Sequence, residues 1–60
     1  MINDEWLTIK EVAAYLKLSI PAIRNYIRLG KLRSYRQGRI VRLKKRDVDN
    51  FLKPVPPLNQ

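Results

Sequence analysis

The sequence predicts a small, mainly α-helical domain with one β-hairpin, in the order α-α-β-β-α. Three observations lead there. Two amphipathic stretches lie within residues 9–29, separated by a short break. Two short runs within residues 32–43 flank a Gln-Gly pair, and an apolar-patterned segment follows two aspartates. Sixty residues make one domain, and a chain that short buries only about 60% of the surface its unfolded form exposes. Cysteine and histidine are both absent, so no disulfide and no thiolate- or imidazole-held metal can brace it. The five carboxylates are scattered, and neither a metal site nor a cofactor is expected.

Thr8-Ile9-Lys10-Glu11 reads as a capping box that opens the first helix, with Leu7 and Val12 placed to form a hydrophobic staple. Ile9, Val12, Ala13 and Leu16 share one face, while Lys10, Glu11, Ala14 and Lys17 share the other. Leu18 interrupts the pattern and Ser19 supplies a second N-cap. Pro21 is tolerated in the first turn because its missing N–H would have no helical partner there. The second helix is expected to reach about Leu29, with Gly30 as a left-handed terminator. Ile20, Ile23, Tyr26 and Ile27 form its apolar stripe, and Pro21, Arg24, Asn25 and Arg28 form the opposite one.

Leu32–Arg36 and Arg39–Leu43 read as paired strands around a two-residue turn at Gln37-Gly38. In the second run Val41 and Leu43 share a face, with Ile40 and Arg42 on the other; Tyr35 does not alternate cleanly with Leu32, which suggests an irregular first strand. Asp47 and Asp49 favour the positive end of a last short helix whose apolar face is Val48, Phe51 and Leu52. Lys53-Pro54 should end it, leaving residues 54–60 as a flexible, proline-rich tail behind a folded domain spanning 1–53. Trp6, Tyr15 and Tyr26 are expected in the core, because large aromatics dominate small cores.

The charge is one-sided. Thirteen Lys and Arg oppose five Asp and Glu, for a net charge of +8, and residues 24–46 hold ten of the cations without one acid. Such a segment repels itself, so a polyanionic partner is the natural explanation; a merely solvated surface would intersperse acids. No apolar run approaches the roughly 20 residues that span a bilayer, and the acidic N-terminus is unlike a secretory signal, so a cytoplasmic protein is expected.

Two helices joined by so short a break match the helix-turn-helix arrangement, whose second helix enters the major groove of DNA; a structural helical hairpin with a solvated outer face has the same spacing. The ordered set Leu7-Thr8-Ile9-Lys10-Glu11-Val12-Ala13-Ala14-Tyr15-Leu16, Leu18-Ser19, Ile23, Ile27, Gly30-Lys31-Leu32, Gly38-Arg39, Arg42-Leu43 and Asp47-Val48-Asp49-Asn50-Phe51-Leu52 resembles the excisionase and MerR-like small winged helix-turn-helix family over residues 6–53. The resemblance implies a recognition helix from Pro21 to Leu29 and a wing at Arg36–Arg42. Ala22 departs from the family, where threonine is frequent, and Val48 stands where leucine is usual. No coiled coil follows as in full MerR regulators, which favours an excisionase-like factor or a small regulator.

Arg24, Asn25 and Arg28 are the candidate base readers: Arg grips guanine O6/N7 through two bonds, and Asn does the same with adenine N6/N7. Around them Ser19, Pro21 and Ala22 complete the candidate recognition surface. Arg36, Gln37, Gly38 and Arg39 form the candidate wing tip, and Lys44, Lys45 and Arg46 are candidate phosphate clamps. Arg33 and Arg42 stay ambiguous, since a hairpin has a protein side and a DNA side. For each, the plain alternative is a solvated charge. Asp47 and Asp49 lack a histidine, cysteine or nucleotide loop beside them, so they read as helix-terminus charges and no enzyme is expected.

The leading expectation is a sequence-specific double-stranded DNA-binding protein, an accessory factor that sets the direction of site-specific recombination of a mobile element. Its further partners would be an integrase and other copies of itself on DNA, with a nucleoid-associated setting of bacterial or phage origin. A small transcriptional repressor would use the same contacts. RNA or single-strand binding needs exposed stacking aromatics and is weaker, and a membrane-surface peptide ranks last because other apolar helices can cover its apolar face.

Overall fold

The computed structural model describes residues 5–52, and the expected Lys53-Pro54 helix stop and the 54–60 tail lie outside them. The chain runs β1 (Trp6–Leu7), α1 (Ile9–Leu16), α2 (Ile20–Arg28), β2 (Tyr35–Gln37), β3 (Ile40–Lys44) and α3 (Lys45–Phe51). This is the expected mainly helical winged helix-turn-helix, with one added element. The two-residue β1 pairs antiparallel with β3, making a three-stranded sheet in the order β1-β3-β2.

Local chemistry accounts for the helix ends. The capping box is present: the Glu11 amide donates to Thr8 Oγ1 at 3.0 Å and the Thr8 amide to Glu11 Oε1 at 2.8 Å. Ser19 caps α2, accepting from the Ala22 amide at 3.2 Å. Both helices end in the same left-handed geometry. Gly30 (φ +78) ends α2 as expected, its amide donating to Ile27 and that of Lys31 to Tyr26. At the end of α1 the same role falls to Lys17 (φ 58), while the Leu18 amide donates to Ala13 at 2.9 Å. Periodicity alone gives no sign that a lysine would take a position glycine usually fills.

The hairpin differs from expectation in two ways. Its first strand begins at Tyr35 instead of Leu32, because Leu32 is a loop residue buried in the core. This also explains why Tyr35 and Leu32 do not alternate. The turn is Gly38-Arg39, one residue later than expected, since Gln37 pairs with Ile40. Positive φ at Gly38 (+60) followed by a non-glycine residue of ordinary φ is the sign pattern of a type II′ turn, which wants glycine at its first central position.

Val12, Ala13, Ile23, Leu32, Leu43 and Val48 form the buried core, with Leu7, Ile9, Leu16, Tyr26, Ile27 and Phe51 packed around it. Tyr26 meets Phe51 with ring centroids 5.0 Å apart, joining α2 to α3. Two expected core aromatics are not core: Trp6 is 48% and Tyr15 49% exposed. Trp6 lies on a short edge strand, where the partner residue of Leu43 turns inward and its neighbour must turn out. Leu52 is likewise exposed, since it caps α3 in extended geometry and has left the helical face.

Replacing the fully buried Leu43 by alanine should cost about 2–5 kcal/mol, a large share of the total for so short a domain. Loss of the cooperative thermal transition at moderate temperature is the expected readout. Lys17→Gly should instead raise the urea midpoint. Relief of the left-handed penalty, about 1–2 kcal/mol for an L-residue, exceeds the roughly 0.5–1 kcal/mol that glycine's extra chain entropy costs.

Candidate nucleic-acid interface

The second helix and the hairpin face each other across an open groove of about 700 Å³. Ser19 and Pro21 start α2, the former as its cap, so the helix emerges with Arg24 and Arg28 on its groove side. On the far wall the sheet register turns Arg36 to the same face as Val41 and Leu43, and the turn carries Arg39 at its tip. Arg42 also lines the groove, its Nη1 donating to the Val41 carbonyl at 2.8 Å. At the mouth stands Lys10, in the first turn of α1. Among the described residues the groove walls therefore hold six cations and no carboxylate.

The candidates divide on this geometry. Arg24, Arg28, Arg36 and Arg39 are brought together by the groove. Asn25 is half-buried beside them, and its Oδ1 accepts a hydrogen bond from Arg28 Nη2. The two potential base readers are thus coupled to each other, one turn apart. Pro21 is exposed and Ala22 half-buried in the first turn of α2. Gly38 provides the turn, whereas Gln37 lies on the opposite sheet face.

The expected clamp is not one unit. Lys44 caps β3 with its ammonium 5.5 Å from the Trp6 ring centroid and 5.1 Å from that of Tyr35. Lys45 Nζ donates to Asp49 Oδ2 at 2.9 Å and sits over the Tyr15 ring. Arg46 is exposed on α3. Two residues of the groove were poorly marked in the sequence. Lys10 reads there only as part of the polar face of α1, and Arg42 as a residue of either face. The capping box was the available signal for Lys10, because it places residue 10 in a first helical turn.

Asp49 accepts a hydrogen bond from Tyr15 Oη at 2.5 Å as well as the Lys45 contact. Its carboxyl is held below the usual range first by the Tyr15 hydroxyl and then by Lys45, and Lys45 is in turn raised chiefly by Asp49. Tyr35 Oη reaches Asp47 Oδ2 at 3.4 Å. These aspartates thus tie α3 to α1 and to the hairpin, beyond the helix-terminus role their positions suggested. Among the described residues no group of three or more acidic, histidine or cysteine side chains could hold a metal, and no helix is long and apolar enough to cross a membrane.

A family model described as a helix-turn-helix domain matches residues 6–54. The chain belongs to that helix-turn-helix family, which includes excisionase-like proteins. No curated protein matches the chain. Membership makes this a DNA-binding helix-turn-helix domain, and DNA its partner.

The Asp49 contacts give a signed pH dependence. A depressed carboxyl pKa adds stability above the ordinary value, about 4, and that stability is lost as pH falls through the lowered value. Thermal melts across the acid limb should therefore show a drop in midpoint that is smaller in Asp49→Asn.

Proposed function

We propose that the protein is a sequence-specific double-stranded DNA-binding factor of the excisionase type. In this reading it sets the direction of site-specific recombination on a mobile element and catalyses nothing itself. The observation that carries the reading is the groove between α2 and the hairpin, lined by six cations and by none of the described carboxylates, in a chain of the helix-turn-helix family. A phosphodiester strand fits between two such walls: α2 would enter the major groove, and the wing would follow the backbone toward the adjacent minor groove. Arg24, Asn25 and Arg28 would read bases, helped by Ser19, Pro21 and Ala22 at the helix start. Arg36, Arg39 and Arg42, with Lys10, would hold phosphates, and Gly38 would let the tip approach.

Lys44 and Arg46 are assigned a weaker, flanking role, and Lys45 weaker still because its ammonium is partnered by Asp49. The acting partners would be an integrase and further copies bound along the same DNA, in the nucleoid of a bacterium or phage-infected cell. A transcriptional repressor of the same fold would use the same contacts and differ only in what the bound DNA must do.

Fluorescence anisotropy on duplex DNA should show strong salt dependence; with about five phosphates neutralised, log K against log salt should slope near −4.5. A slope near zero would remove the DNA reading of the groove. Arg24→Ala or Asn25→Ala should cost about 1–3 kcal/mol on the cognate site and little on random duplex, whereas Arg36→Ala should weaken both alike.

Circular permutation on the native site, with an excision assay containing the integrase, separates recombination from repression. Bending a 20–30 base-pair site by 40–90° costs on the order of 1–6 kcal/mol, which several basic wings on neighbouring sites can offset. Bent, multiply occupied DNA and stimulated excision are expected. A single unbent complex without effect on excision would leave the repressor.

A further inference from the structure

The outer face of the sheet carries a second surface. By register Trp6, Tyr35, Ile40, Arg42 and Lys44 share that face, opposite Leu7, Val41 and Leu43. Trp6 and Ile40 are 48% and 53% exposed there. Between them lies a shallow concavity of about 440 Å³ walled by Trp6, Tyr35, Arg36, Gln37, Ile40 and Arg42. Each apolar Å² left in water forgoes about 25 cal/mol, so a small domain that exposes an indole and an isoleucine side by side holds surface for something else to cover.

We propose that this face docks an acidic protein segment bearing one apolar anchor side chain. Charge selects the sign of the partner. Two arginines stand in the wall, and none of the described carboxylates lines it. An apolar centre rimmed by cations fits an apolar anchor flanked by carboxylates.

Shape selects a side chain over a nucleobase. The Trp6 and Tyr35 rings meet edge to face, 5.3 Å between centroids at 86°, and so form a corner, not a stacking platform. A branched or aromatic side chain fills a corner; consecutive stacked bases do not. The backbone adds a third element, because β2 is an edge strand to which an extended segment can add. This surface shares Arg36 and Arg42 with the groove but does not need the recombination reading, and it is tested without DNA.

Trp6 is the sole tryptophan, so its emission reports directly from the site. A displayed library of random peptides is selected on the full chain, and the enriched peptides are synthesised and titrated. Enriched peptides should be acidic with an aromatic or branched apolar residue, and should shift Trp6 emission to the blue. Ile40→Gln, an exposed position whose change leaves the core intact, should weaken them about tenfold. Failure to enrich acidic peptides, or equal binding by Ile40→Gln and the parent chain, overturns the proposal. So does a single-stranded oligothymidylate that quenches Trp6 as tightly as the best peptide, which would give the face to nucleic acid.

Discussion

Leu43 loses all contact with water in the company of Val12, Ile23, Leu32 and Val48, and the rest of the molecule depends on that cluster. The five side chains come from β3, α1, α2, the loop after α2 and α3, so every larger element meets there. With no cysteine to form a disulfide, this burial has to offset the chain entropy of the whole domain. It also sets geometry. Because Leu43 must point inward, Val41 and Arg36 share its face and Arg42 begins on the other. The hairpin can then hold its arginines against α2.

The placement of charge follows from the same constraint. A segment with ten cations and no acid would disperse if left to itself, yet the core holds α2 and the hairpin close enough for their arginines to line one groove. The fold is thus held by apolar contacts against a repulsion that a polyanion would relieve. Acids appear where they secure structure: Glu11 closes the cap of α1, Asp49 joins α3 to Tyr15, and Asp47 meets Tyr35. None of them lines the groove.

The two faces of the sheet have different characters for one reason, the period of two. Inward positions feed the core and the groove wall, and outward positions expose Trp6 and Ile40 and leave Lys44 half-buried. Arg36, on the edge strand β2, and Arg42, on β3, border both concavities.

The sequence by itself determined the local features: the capping box at Thr8, the Ser19 cap, the glycine stop at Gly30, the inward pair Val41 and Leu43, and the basic block. Each rests on residues within about one turn or one strand of each other, whose preferences act before any long-range contact forms. It also marked Arg24, Arg28, Arg36 and Arg39, which the structure brings to one groove. Only the tertiary structure decided the rest. Two residues are too few for an alternation pattern, so β1 exists because β3 offered it an edge. Lys17 takes a left-handed turn because α1 and α2 must both present their apolar faces to one core. The turn falls at Gly38-Arg39, where Gln37 pairs with Ile40, and Asp49 meets Tyr15 of α1, contacts that local spacing does not encode; the Lys45–Asp49 pair, at i and i+4 of one helix, was within its reach.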